Sequence, residues 1–69
     1  MDKERFTRLN RLIEEVTHIN LKISKLVFYI FTEDFEEKDL WEQELMRRQL
    51  NHMQCYRNAL IERIDKMVY

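Results

Sequence analysis

The chain has 69 residues, 36% of them charged, with neither glycine nor proline, one cysteine and a formal net charge of −1. These figures exclude a disulfide within the chain and any glycine-dependent phosphate loop or dinucleotide fingerprint. They also give no reason to expect duplex DNA or an anionic membrane as a partner. A chain this short buries only about 60% of its unfolded surface and usually needs a disulfide, a metal or oligomerisation for support. Zinc sites of the usual kind need several Cys or His ligands at short spacing, and none occurs, so oligomerisation is the support that remains. Met1 opens onto charged residues, with no apolar leader core and no run of twenty apolar residues. With its lone thiol, the chain is expected to be cytoplasmic and outside any membrane.

Without helix breakers, the sequence reads as helix almost throughout, an all-α fold. The first helix is predicted from about residue 2 to residue 31. Phe6, Leu9, Ile13, Val16, Asn20, Ile23, Val27 and Ile30 alternate in steps of three and four, the a and d positions of a heptad. Leu12, Ile19 and Leu26 occupy the flanking g positions and widen the stripe. A stripe this broad predicts contact with more than one helix. Asn20 takes an a position, where a buried Asn typically fixes register and oligomer order at a cost in stability. Leu26 to Phe31 is apolar on every side and too short to span a bilayer, so it is read as the most buried end of the helix, covered by neighbouring subunits.

The connector, residues 32–38, contains Glu33-Asp34-Phe35-Glu36-Glu37. Phe35 is expected to fold back and plug the end of a hairpin, while the acidic residues form a solvated turn that also favours the positive N-terminus of the next helix. Asp39-Leu40-Trp41-Glu42 has the form of a capping box, starting a second helix that runs from about residue 39 to residue 67. At 1.5 Å per residue each helix is about 40 Å long, and the short connector makes them antiparallel neighbours. The predicted fold is one domain over residues 1–69, an antiparallel two-helix hairpin assembling into a homo-oligomeric bundle. A tetramer is favoured, because two stacked hairpin pairs cover a three-position stripe better than one pair.

On the second helix, Leu50, Met53, Leu60, Ile64 and Met67 share a face, and Gln49, Tyr56 and Arg57 interrupt or border it. A polar side chain on a buried face costs on the order of 2–7 kcal/mol unless it finds a partner, whether another helix or a ligand. Charge is unevenly spread: residues 1–25 carry net +2, residues 33–44 net −6 and residues 45–69 net +3. The arms are mildly basic and the connector strongly acidic.

Catalytic chemistry finds little purchase. Glu15-x-x-His18 matches half of a di-iron bundle motif, but both residues fall on outer heptad positions and Gln49-x-x-His52 lacks the second carboxylate. Cys55 lies one helical turn from His52, yet no orienting acid or oxyanion element accompanies the pair. We expect no catalytic residue, no metal site and no cofactor. Binding chemistry is better supplied. Arg48, Arg57 and Lys25 suit phosphates, Tyr56 and Tyr29 offer stacking surfaces, and Gln49 suits a base edge. On composition alone the plainer reading prevails, in which Tyr56 packs in the core and the arginines form surface ion pairs.

The spacing of Ile23-x-Lys25-Leu26-x-x-Tyr29-Ile30, then Phe35, Leu40, Glu42-Gln43, Leu45, Gln49-Leu50, Met53, Tyr56, Leu60 and Arg63-Ile64 resembles a family of small phage helical hairpins over about residues 20–65. The family has Phe where Tyr29 stands, a mild departure. Such hairpins resemble the anti-CBASS sponges, which sequester cyclic nucleotide signals of bacterial immunity without cleaving them, in symmetric oligomers with pockets between protomers. The resemblance implies a cyclic oligonucleotide ligand, with a cyclic dinucleotide as the first expectation, and a setting in the cytoplasm of the infected bacterial host. Two other classes stand beside it. One is a protein-binding module that docks its acidic Glu33–Asp39 tip on a host protein, and the other a structural coiled-coil adaptor.

Overall fold

In a computed structural model, which describes residues 2–68, the chain forms α1 (Lys3–Ile30), α2 (Glu33–Glu37) and α3 (Leu40–Val68). Helix α1 begins at Asp2, whose Oδ1 accepts from the Arg5 backbone N–H at 2.7 Å and satisfies one of the donors left open in a first turn. Asp39 does the same for α3, with Oδ1 2.8 Å from the Glu42 N–H. Only that half of the expected capping box forms, because the Glu42 carboxylate lies 3.6 Å from Lys38 Nζ instead of reaching back.

The reversal between the long helices needs no left-handed residue; among the described residues none has positive φ. Two extended residues, Thr32 (φ −94°, ψ 159°) and Lys38 (φ −69°, ψ 151°), break the helical course on either side of α2. Thr32 Oγ1 donates to the Tyr29 carbonyl at 2.6 Å and accepts from the Phe35 N–H, closing one helix and capping the next. The connector expected as a turn is therefore a short helix, and it aims Phe35 back between the arms. Phe35 is 2% exposed, edge-on to the Tyr29 ring (centroids 6.1 Å apart), with the Arg47 guanidinium 5.1 Å from its own centroid.

Helices α1 and α3 pack along their length as antiparallel neighbours in a rod 52 × 14 × 14 Å. Arg5 near the start of α1 donates to the Met67 carbonyl near the end of α3, while Tyr56 meets Glu15 near the middle. The inward residues of α1 are Leu9, Leu12, Val16, Ile19, Ile23, Leu26 and Ile30. Those of α3 are Met46, Leu50, Met53, Arg57, Leu60, Ile64 and Met67. Both sets step by three and four, so each helix presents one two-column seam to the other.

That seam uses the d and g columns of α1. The a column, Phe6, Ile13, Asn20 and Val27, lies to one side of it, with Phe6 56% and Ile13 45% exposed and Asn20 exposed as well. Asn20 is thus not buried within the hairpin; its Oδ1 accepts from Arg57 Nη1 at 3.5 Å. One partner helix can cover only two columns of a three-column stripe. The apolar end of α1 divides in the same way: Leu26 is buried and Tyr29 and Ile30 half-buried, but Phe28 and Phe31 are 77% and 84% exposed. Within one chain that segment is not the most buried.

Candidate functional site

Beside the seam, on the face away from the a column, two more seven-residue columns run antiparallel. Arg8, Glu15, Lys22 and Tyr29 on α1 face Arg63, Tyr56, Gln49 and Glu42 on α3. The second pair is bonded: Tyr56 Oη donates to Glu15 Oε2 at 3.0 Å. At the connector end Lys38 joins Tyr29 and Glu42, its ammonium 5.9 Å from the ring centroid and 3.6 Å from the carboxylate. The seven-residue repeat holds these side chains in line, because it returns each to nearly the same face of its helix.

Between the two bonded ends lie two adjoining open grooves. The one nearer the connector, about 330 Å³, is edged by Lys22, Lys25, Tyr29 and Gln49 over Leu26 and Met53. The next, about 520 Å³, is edged by Arg48, Gln49, His52 and Tyr56 over Ile19 and Met53. Gln49 and Met53 belong to both, so the grooves form one trough with a sulfur-containing apolar floor. Volumes of this order suit small ligands, but such sites normally enclose most of the ligand surface, and these are open along one side.

Five of the six residues singled out for binding, Lys25, Tyr29, Arg48, Gln49 and Tyr56, line this trough. Gln49 and Tyr56 are exposed there and do not interrupt the buried stripe. Arg57 does not line it. It sits half-buried in the seam and turns to the other side, towards Asn20 Oδ1 and Asn58 Oδ1. Arg48 is already engaged by its own helix, 3.3 Å from Glu44 Oε1 and 5.8 Å from the Trp41 ring centroid. Lys22 and His52 also line the trough and were not among those six, and Glu15 borders it through its bond to Tyr56. The period of seven linking Arg8, Glu15, Lys22 and Tyr29 is the signal that marks Lys22 and Glu15; His52 lies outside both columns.

The electrostatics follow from these contacts. The hydrogen bond to Glu15 raises the Tyr56 phenol above its usual value; desolvation and the Glu15 charge add to it, while Arg63 opposes. Tyr56 is therefore a neutral ring over the pH range of a cell. Lys38 is raised as well, first by the charge of the Tyr29 oxygen and then by Glu42, which keeps a fixed cation at the connector end. Within the trough Lys22 and Lys25 make no ion pair among the described residues. It combines free cations, aromatic faces and one primary amide over apolar carbon.

The sequence model of one family, described as Sequestin, matches residues 7–66, nearly the whole hairpin. The chain belongs to the Sequestin family. The matched span takes in both helices of the seam and every residue of the trough. The name Sequestin is compatible with a role in sequestering a partner. Searches among curated proteins and among solved structures gave no match to the chain. No helix among the described residues is long and apolar enough to cross a membrane.

Proposed function

We propose that this Sequestin protein sequesters a cyclic oligonucleotide, with a cyclic dinucleotide as the first choice, and releases it unchanged. The observation that carries this reading is the convergence of Lys25, Tyr29, Arg48, Gln49 and Tyr56 on one trough. A cyclic dinucleotide presents two phosphates and two flat bases. It needs cations, stacking surfaces and amide groups together, and base–aromatic stacking alone contributes about 1–3 kcal/mol per base. In the setting the resemblance implies, the ligand is an immune signal and the protein a phage product that removes it.

The trough is open, so full enclosure requires a second copy of the chain. The accessible surface is 5777 Å². A compact monomer of 8.7 kDa exposes only about 4,700 Å². The excess, roughly 1,000 Å², exceeds the ~800 Å² that each partner hides in a standard interface. Phe6, Ile13, Ile61 and Val68, all substantially exposed, supply apolar surface on the side opposite the trough. A pair assembled through that side leaves its troughs facing outward. The copy that closes a trough therefore comes from a second pair set face to face with the first, which makes the assembly a tetramer or larger. It also gives Arg57, which faces that side with Asn20, a structural part to play.

Tyr29 and Tyr56 do not grip one ligand within a single hairpin. Tyr56 meets Glu15, and Tyr29 stands fourteen residues farther along α1, about 21 Å at 1.5 Å per residue. Each ring is therefore assigned to a different base contact, completed by a neighbouring chain. Equilibrium dialysis against a cyclic dinucleotide tests this reading. The protein should draw the compound into its compartment and yield it chemically intact on heat denaturation. Recovery of a linear nucleotide would replace the sponge with a nuclease.

A further inference from the structure

At the open end of the hairpin, beyond the Tyr56–Glu15 pair, a third groove of about 490 Å³ lies on the same face. Arg8 and Arg11 from α1 and Arg63 and Lys66 from α3 line it. Among the described residues none of these four cations makes an ion pair or a side-chain hydrogen bond. The one carboxylate in the lining is Glu15, and its Oε2 accepts the Tyr56 hydroxyl. Like charges one turn apart on a helix repel by a few tenths of a kcal/mol, and here two such pairs also face each other. The Glu15 carboxylate offsets part of that repulsion, and an excess of three positive charges remains in the lining. An anion in the groove would offset the rest.

We propose that this groove is a second ligand site, which takes a small molecule bearing two adjacent phosphates, of the nucleoside diphosphate class. Three of its four cations are arginines, whose planar forks match pairs of phosphate oxygens better than the point charge of lysine does. Leu12, 7% exposed, and the half-buried Met67 form an apolar floor on which a sugar or base can lie. The volume falls within the range of about 300–1,000 Å³ typical of small-molecule sites. The cation density differs from that of the Gln49 trough, where Lys22, Lys25 and Arg48 are spread over two grooves and Arg48 is held by Glu44. Arg63 lies fourteen residues from Gln49 on α3, about 21 Å along the helix axis. The two sites can therefore be occupied separately, and this one does not depend on a cyclic nucleotide binding in the trough. Glu15 borders both, and its negative charge weakens the open-end site.

Isothermal titration of the full-length protein with ADP, inorganic pyrophosphate and AMP tests the proposal, at an ionic strength where screening acts over about 8 Å. ADP and pyrophosphate should bind saturably, with AMP at least several-fold weaker because it lacks the second phosphate. Arg63→Gln should weaken ADP binding by about tenfold, the loss of one charge-assisted bond. Arg8→Gln should do likewise, while Gln49→Ala should leave it unchanged. Glu15→Gln should strengthen it about two- to fivefold, as removal of one nearby like charge at a screened surface allows. Helical circular dichroism checks that each variant is folded; Arg8 and Arg63 are exposed, so neither contributes to the core. Absence of saturable binding by both ADP and pyrophosphate would overturn the assignment. So would equal affinity for AMP and ADP, or binding that Gln49→Ala abolishes and Arg63→Gln spares.

Discussion

Replacing Asn20 with leucine reports on what covers the a column. In the single hairpin Asn20 is exposed, and its contact with Arg57 Nη1, at 3.5 Å, is at the limit of a hydrogen bond. A contact that long at the surface contributes almost nothing, so Asn20→Leu costs an isolated hairpin nothing measurable. If a second copy covers Phe6, Ile13 and Val27, the new leucine completes a continuous apolar column under that copy. Full burial of a leucine side chain contributes about 1.5–3 kcal/mol per chain. For a domain of this length each kcal/mol moves the melting temperature by roughly 4–8 °C, so the variant should melt about 6–24 °C higher. Removal of the one polar group in the column should also blur the oligomeric state, since a buried amide selects register. Thermal melts at two protein concentrations tenfold apart, with sedimentation equilibrium on the same samples, read both effects. An unchanged melting temperature with an unchanged single species would show that the column faces water, and the assembly argued for here would be wrong.

Other expectations follow from individual contacts. Phe35→Ala empties the plug between the arms and should cost about 3–5 kcal/mol, most of what a chain of this length holds, whereas Phe28→Ala at a 77% exposed position should change the stability of the hairpin little; urea unfolding compares them. The raised Tyr56 phenol favours the folded state while it keeps its proton, so that stability is present below the usual phenol value of 10.0 and is lost as pH rises through the higher folded value. Lys38, also raised, loses its share in the same direction above 10.5; melts from pH 8 to 11 should show the decline, and Glu15→Gln should remove the Tyr56 part by lowering that phenol. Neutralising Glu33, Asp34, Glu36 and Glu37 to the amides should leave nucleotide binding intact in dialysis, while loss of function confined to that variant would favour an acidic module that docks on a host protein.

The helical course of the chain is legible in the sequence because no Gly or Pro interrupts it and the three-four spacing persists through both arms. Phe35 is legible for a related reason: an isolated aromatic in an acidic connector has few places to go but inward. The choice of inward columns is not. Phe6, Ile13 and Val27 are as apolar as Leu9, Val16 and Ile23, so the pattern alone cannot rank them; the ranking comes from the geometry of one antiparallel partner. That choice moved Asn20 to the surface, placed Arg57 in the seam and turned Gln49 and Tyr56 out into the trough. Arg57 and Tyr56 both border the apolar stripe of α3 in the sequence, but adjacent residues on a helix differ by about 100° in direction and here fall on opposite sides of the seam. The pairing of Tyr56 with Glu15, 41 positions apart, depends on the helix register, which no local pattern states.

Calorimetric titration of the assembled protein with a panel of cyclic di- and trinucleotides asks whether the trough holds such a ligand. At least one cyclic dinucleotide should bind saturably. Tyr56→Ala, with its oligomeric state verified, should weaken that binding about tenfold or more, the effect of roughly 1.4 kcal/mol, and Gln49→Ala should weaken it as well. No heat of binding from any member of the panel, with the oligomer intact, would contradict the sponge reading.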